Sequence, residues 1–184
     1  LNANAQLTSA LAGVTLTTAF PSGNSLADQL KVVARLIAAR NTLGAKRQVF
    51  FVSIGGFDTH DSLLDTHPAL MSRVGQAMAA FYQATVELGV ANQVTAFTAS
   101  DFGRTLVSNN GGSDHGWGSM HFVLGGAVKG AAYYGNAPVI ANGGPDDVGQ
   151  GRLLPSVSVD QYGATLATWL GVSNTDLASV LPNL

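Results

Sequence analysis

The chain has 184 residues, 46% of them hydrophobic and 11% charged, with 22 glycines, no cysteine and a formal charge of −2. That length and apolar content support a sizeable core and exclude disorder, the lack of a fixed period excludes repeats, and the absence of cysteine excludes disulfides, thiolate catalysis and Cys-based zinc sites. The balanced charge gives no pull toward nucleic acid or an anionic membrane, and no apolar stretch is long enough to predict a transmembrane helix. A typical soluble domain is roughly 25% charged. A chain this poor in charge either hides surface against a partner or works where few charges suffice.

In chain order, residues 1–24 are rich in Ala, Thr, Ser and Asn and read as a loosely structured lead-in. Leu1 follows no methionine and no basic-plus-apolar leader, so a processed chain and a fragment of a longer one are both open. Ser25 reads as an N-cap. Leu26, Leu30, Val33 and Ile37 then recur at helical spacing to about Arg40, and Gly44 reads as a terminator. Gln48 to Ile54 (QVFFVSI) is a β-favouring apolar run that predicts a buried, parallel strand. A helix from about Pro68 to Leu88 carries the stripe Met71, Val74, Met78, Phe81 and Val86. Val94 to Ala99 predicts the next strand. This order of helix, strand, helix, strand predicts an α/β fold with a mainly parallel central sheet flanked by helices. Residues 100–120 read as a long Gly-rich polar loop. Residues 121–126 and 131–134 read as continuations of the sheet, and 141–152 as loop. Asp160 reads as the cap of a helix to Leu170, ended by Gly171, and Asn174 or Thr175 as the cap of a last turn.

Three polar clusters follow predicted strands or lie in the long loop, where an α/β fold places its site. They are Gly55-Gly56-Phe57-Asp58-Thr59-His60-Asp61, Ser100-Asp101-Phe102-Gly103-Arg104-Thr105 and Ser113-Asp114-His115-Gly116. Carboxylates with imidazoles suit a divalent ion of zinc or manganese type, which would relieve the repulsion among converging carboxylates. Arg104 could neutralise part of that charge or clamp an anionic substrate group. Each residue also has a plainer reading. Asp58 and Asp101 suit turns or caps, and His60 suits a hydrogen-bonded loop histidine. Asn109-Asn110-Gly111-Gly112 is a turn. His67 beside Pro68 is structural, and His121 reads equally as a ligand or as a packed strand residue. No G-x-S-x-G, H-E-x-x-H, phosphate-loop or strand-linked G-x-G-x-x-G pattern is present.

The ordered motifs Gly55 to His60, Ser100 to Thr105, Asn110, Gly112, Asp114-His115-Gly116 and Val123 to Gly130 resemble the bacterial domain-of-unknown-function 1501 family. So does the tail from Asp160-Gln161-Tyr162 through Trp169-Leu170-Gly171 to Pro182-Asn183-Leu184. The resemblance covers residues 25–184. It implies an alkaline phosphatase-like fold of the phosphatase and sulfatase superfamily, with a metal site at the strand ends. It also implies export to the periplasm or beyond, because many members carry a twin-arginine signal. The family's Gly-Gly-x-Asp-Gly-like motif, which belongs to an N-terminal half, has no match in residues 1–24. The chain is therefore expected to be the C-terminal part of a longer polypeptide, incomplete without that missing half or a partner chain. Two departures stand out: Asp101 is followed by Phe102 rather than histidine, and the Asp58/His60 step is tighter than four residues. They favour a single-metal or vestigial site over a two-zinc one.

The leading expectation is an exported metal-dependent hydrolase of small anionic phosphate or sulfate esters. Its metal ligands would be Asp58, His60, Asp101, Asp114 and His115, and its catalytic groups Arg104, His60 and Asp101. Zinc leads as the metal, with manganese or calcium as options. The alternative expectation is a non-catalytic extracellular binding or assembly protein with a structural or vestigial metal site, in which case the chain forms oligomers.

Overall fold

The computed structural model describes residues 2–184. Its elements are α1 (Asn2–Ala12), α2 (Ser25–Ala38), α3 (Arg40–Leu43), α4 (Leu63–Glu87), a 3-10 turn (Ala91–Gln93), β1 (Thr95–Phe97), β2 (Gly103–Ser108), β3 (Ser113–Gly116), β4 (Val123–Gly125), α5 (Val159–Leu170) and α6 (Asn174–Val180). The strands form two separate two-stranded antiparallel pairs, β1 with β4 and β2 with β3. This overturns the expected parallel central sheet and, with it, the alkaline phosphatase-like architecture.

The reason lies at residues 48–54. They run without ladder pairing, and among the described residues no strand bonds to them. A side-chain amide substitutes for a neighbouring strand: Gln29 Nε2 donates to Ser53 O at 2.8 Å, and Ser53 N donates to Gln29 Oε1 at 3.0 Å. Val52 and Ile54 pack on the core, while Val49 and Phe51 are exposed. An apolar run shows that a segment can be buried on both faces, but not that a partner strand stands beside it.

The chain divides into two units. The first comprises residues through Ala99, with Asn110–Gly112 and His121–Gly130. Its core forms where α2 lies along α4. Leu26, Leu30, Val33 and Ile37 of α2 meet Val74 and Phe81 of α4, and Ala27, Ala34, Ala77 and Ala84 are wholly buried. The small residues let the two backbones approach closely. The cap of α2 is Asn24 rather than Ser25. Its Oδ1 accepts from Ala27 N at 3.3 Å, and its Nδ2 donates to Arg73 O at 2.9 Å, so one buried side chain both starts α2 and ties it to α4. Asn24→Ala is expected to lower stability by about 1–2 kcal/mol, read from the denaturant midpoint. Asn24→Asp, which keeps the cap acceptor, should recover part of that loss.

The lead-in carries α1 rather than irregular chain. Arg40 opens α3, which Gly44 ends in a left-handed conformation. α4 begins at Leu63, a full turn before the predicted Pro68, and Pro68 lies inside it. Its N-cap, Ser62, has φ 49° and makes no side-chain cap bond; instead Leu63 N donates to Gly111 O at 3.0 Å. At the other end, Glu87 accepts from Thr17 N (2.6 Å), Thr18 N (2.8 Å) and the Thr18 hydroxyl (2.6 Å). A carboxylate at a helix C-terminus is disfavoured by the helix dipole, but these donors hold its pKa down to about 2 from an ordinary 4.5. Because the folded pKa lies below the unfolded one, the stabilisation is complete above pH 4.5 and is lost as pH falls toward 2. Glu87→Gln should accordingly be less stable than wild type at neutral pH, with the difference closing across that window in pH-resolved denaturation.

The second unit comprises Ser100–Asn109, Ser113–Met120 and Ala131–Leu184. Residues 100–120, expected as loop, contain the β2–β3 pair, with Gly103 opposite Gly116 and Arg104 opposite His115. A Cβ at Gly103 would stand 2.0 Å from Gly118 O, so only glycine fits there. Residues 131–134 form no strand, and Tyr133 is 92% exposed. α5 starts two residues earlier than predicted, capped by Ser158 rather than Asp160, because Ser158 and Gln161 form a reciprocal capping box. Ser173, not Asn174 or Thr175, caps α6. Among the described residues no helix is long and apolar enough to cross a membrane.

Candidate functional site

The segment after residue 54 turns sharply. Gly56 has φ 96°, a conformation that suits glycine and strains other residues. Phe57 then packs on the core of the first unit and meets His67 of α4 edge-on, with ring centroids 5.9 Å apart. Thr59 N donates to Phe57 O at 2.9 Å, closing a three-residue turn with Asp58 at its crest. The buried Thr59 points inward, and the residues flanking it, Asp58 and His60, are both exposed.

That alternation brings Asp58 Oδ1 to 2.9 Å from His60 Nε2, with side chains 60% and 49% exposed respectively. Both atoms are metal-ligand donors and form part of a candidate metal site. Two donors each about 2.0–2.1 Å from one zinc ion stand about 3.3 Å apart in tetrahedral geometry. The pair would therefore need to open by only a few tenths of an ångström to hold a cation. One imidazole and one carboxylate suit zinc or manganese better than calcium, which prefers oxygen-only sets.

Behind this segment, Gly112 lies against the backbone of Thr59 and His60. A Cβ there would stand 2.2 Å from Thr59 O and 2.5 Å from His60 C. A Cβ at Gly111 would stand 3.2 Å from Asp61 Cα, and the Gly111 carbonyl caps α4. The two glycines of the turn read from the sequence are thus also the buttress of the Asp58–His60 turn.

The other predicted site residues belong to the second unit. Asp101 is exposed on a tight turn that the Ser100 hydroxyl closes by donating to Phe102 O at 2.8 Å. Arg104 directs Nη1 to Ser113 O, and its guanidinium carbon lies 5.1 Å from the centre of the Phe102 ring. His115, opposite Arg104 in the register, stacks on Phe102 with centroids 3.8 Å apart and planes 3° from parallel. Asp114 is exposed, and its Oδ1 accepts from Asn109 Nδ2 at 2.8 Å. Arg104, Phe102 and His115 therefore form one layered cluster on the hairpin, in which Arg104 also braces the β3 backbone. Sequence reasoning did not single out Phe102, although its place two residues before Arg104 on an extended chain puts both on one face.

A further polar contact lies in the first unit: Thr98 Oγ1 stands 3.3 Å from His121 Nδ1. The two residues are far apart in sequence, and they follow and precede the antiparallel strands β1 and β4.

A family described as a protein of unknown function (DUF1501) has a sequence model that matches residues 3–179. No curated protein and no solved structure matches the chain.

Proposed function

The chain belongs to the DUF1501 family, and from that premise we propose that it contributes a divalent-cation site to a hydrolase of small phosphate or sulfate esters. The observation that carries this reading is the Asp58–His60 pair, in which two ligand-type donors meet at 2.9 Å on an exposed crest. A cation there would polarise an ester oxygen and lower the pKa of a bound water. The protein's own part is to fix the two donors. Gly56, Phe57 and the Thr59–Phe57 bond hold the turn from one side, and Gly112 holds it from the other. Beyond the pair, the sequence pattern offers His115, Asp101 and Asp114 as further donors, with Arg104 for the anionic substrate group.

The test is a screen of aryl phosphates and aryl sulfates with zinc, manganese or calcium added. Turnover that needs the metal, and that falls to background in Asp58→Ala and His60→Ala, is the expected result. Metal content of His115→Ala, Asp101→Ala and Asp114→Ala then sorts the remaining donors. Turnover unchanged in Asp58→Ala and His60→Ala would remove the pair from the mechanism. Export from the cytoplasm belongs to the same proposal, and cell fractionation tests it.

A second reading is favoured by a different observation. Phe51, Leu64 and Tyr133 are 87–92% exposed in a chain that is only 11% charged. Large exposed apolar side chains favour cover by a partner chain, by the N-terminal half expected above or by further copies of this chain. A protein that binds metal, hydrolyses none of these esters and forms large assemblies by light scattering would support this binding or assembly role.

A further inference from the structure

The ester-hydrolase reading lacks a nucleophile, and the contact at the end of β1 supplies a candidate. Thr98 is the first residue past β1, and two bonds lock it to Phe122. Thr98 N donates to Phe122 O at 2.9 Å, and Phe122 N donates to Thr98 Oγ1 at 2.9 Å. The second bond fixes the Thr98 rotamer and occupies an acceptor position on its oxygen. The hydroxyl proton is then directed elsewhere, and His121 Nδ1 stands 3.3 Å away. Thr98 is half-buried and His121 is exposed, so a small reagent can reach the pair. We propose that Thr98 and His121 form a nucleophile–base pair that attacks the phosphorus of a phosphate ester. This proposal rests on the ester-hydrolase reading for its substrate class, but its geometry is independent of the metal.

The geometry matches what an activated hydroxyl requires: a base nitrogen within hydrogen-bond reach, on residues that flank the paired strands β1 and β4. Desolvation keeps the His121 pKa below its ordinary 6.5, so the imidazole is neutral at neutral pH, with Nδ1 as acceptor when Nε2 carries the proton. In the reaction the Thr98 Oγ1–phosphorus bond forms and the bond from phosphorus to the leaving oxygen breaks. The hydroxyl proton passes to His121 Nδ1 and from there to solvent, while the leaving oxygen, on the far side of phosphorus, takes a proton from water. Water then hydrolyses the phosphothreonine, releasing phosphate and restoring the hydroxyl. The tight tie to Phe122 distinguishes Thr98 from the hydroxyls of Ser100 and Thr59. Ser100 donates to a carbonyl, and Thr59 is buried.

An alkyl fluorophosphonate tests the pair directly, because its reaction needs the same attack, with fluoride as the leaving group. The full chain is incubated with the probe, once with chelator and once with zinc, and the modified peptide is located by mass spectrometry. Thr98 should carry the phosphonyl group under both conditions. Thr98→Ala should carry none there. Thr98→Ser keeps both the hydroxyl and the acceptor for Phe122 N–H, and should label at least as fast as wild type. His121→Gln should slow labelling by about 100-fold, the range of general-base assistance. Absence of label on wild-type Thr98, or equal rates in wild type and His121→Gln, would overturn the pair, and the wild-type arm holds even if a variant fails to fold. Label on Thr98 in chelator, combined with no metal in the purified protein, would uphold the pair while removing the metal reading.

Discussion

Replacing Gly112 with alanine is expected to cost about 1–3 kcal/mol, at the upper end of that range, and to reduce metal retention at Asp58 and His60. The added Cβ would lie 2.2 Å from Thr59 O and 2.5 Å from His60 C. Both are backbone atoms, so no side chain can swing aside to make room, and the overpacking has to be relieved by moving chain. The chain that moves is the turn holding Asp58 and His60 at 2.9 Å. The substitution should therefore affect stability and binding together. Gly130→Ala is the control: a Cβ there meets nothing within 4 Å, and its backbone lies outside the left-handed region. It should leave the denaturation midpoint and the metal content unchanged. A Gly112→Ala protein with wild-type stability would show that residues 110–112 do not press on residues 59–60.

Phe81→Ala should have the largest effect on stability, about 3–5 kcal/mol, from the cavity it leaves. Phe81 is 4% exposed and sits in the core of the first unit, where the wholly buried Ala27, Ala34, Ala77 and Ala84 bring helices close together. Alanines have no rotamers with which to fill the space, so the lost volume remains as cavity. Against a whole-domain stability of about 5–15 kcal/mol, this removes about a fifth or more. Urea unfolding measures it. Val86→Ala on the same helix, where the side chain is 48% exposed, should stay within about 0.5 kcal/mol of wild type. Equal losses at the two positions would contradict the placement of the core.

The helices with an apolar stripe or a clear stop signal were readable because that information is local, whereas α1, which buries no residue, was read as loosely structured chain. The Leu26–Leu30–Val33–Ile37 spacing and the Gly171 stop gave α2 and α5 nearly to their ends, and the errors were confined to which polar residue caps each one. Sheet topology was not readable because pairing is nonlocal. The apolar run QVFFVSI promised a buried strand, but its structural neighbour is the amide of Gln29. The β2–β3 pair was hidden for a different reason: GRTLVS and SDHG do not alternate apolar with polar, and their burial is irregular. The turn between them was nonetheless visible as Asn-Asn-Gly-Gly, with Asn110 at φ 89°.

The candidate site divides along the same line. Asp58 and His60 are two residues apart on a turn, so their meeting could be anticipated from spacing alone. The stacking of Phe102 on His115, and the Thr98–His121 contact, depend on antiparallel pairings that the expected parallel sheet excluded. The expected convergence of carboxylates also leaned on neighbouring parallel strands, and among the described residues there are none.

The claim that Asp58 and His60 hold a divalent cation is tested most directly by elemental analysis of the purified chain beside its Asp58→Ala variant, each after exposure to zinc and manganese and removal of the unbound ion. The account predicts about one equivalent of metal in the wild type and a clear loss in the variant. No retained metal in the wild type, or equal retention in both proteins, would contradict it and leave the pair as a hydrogen-bonded turn.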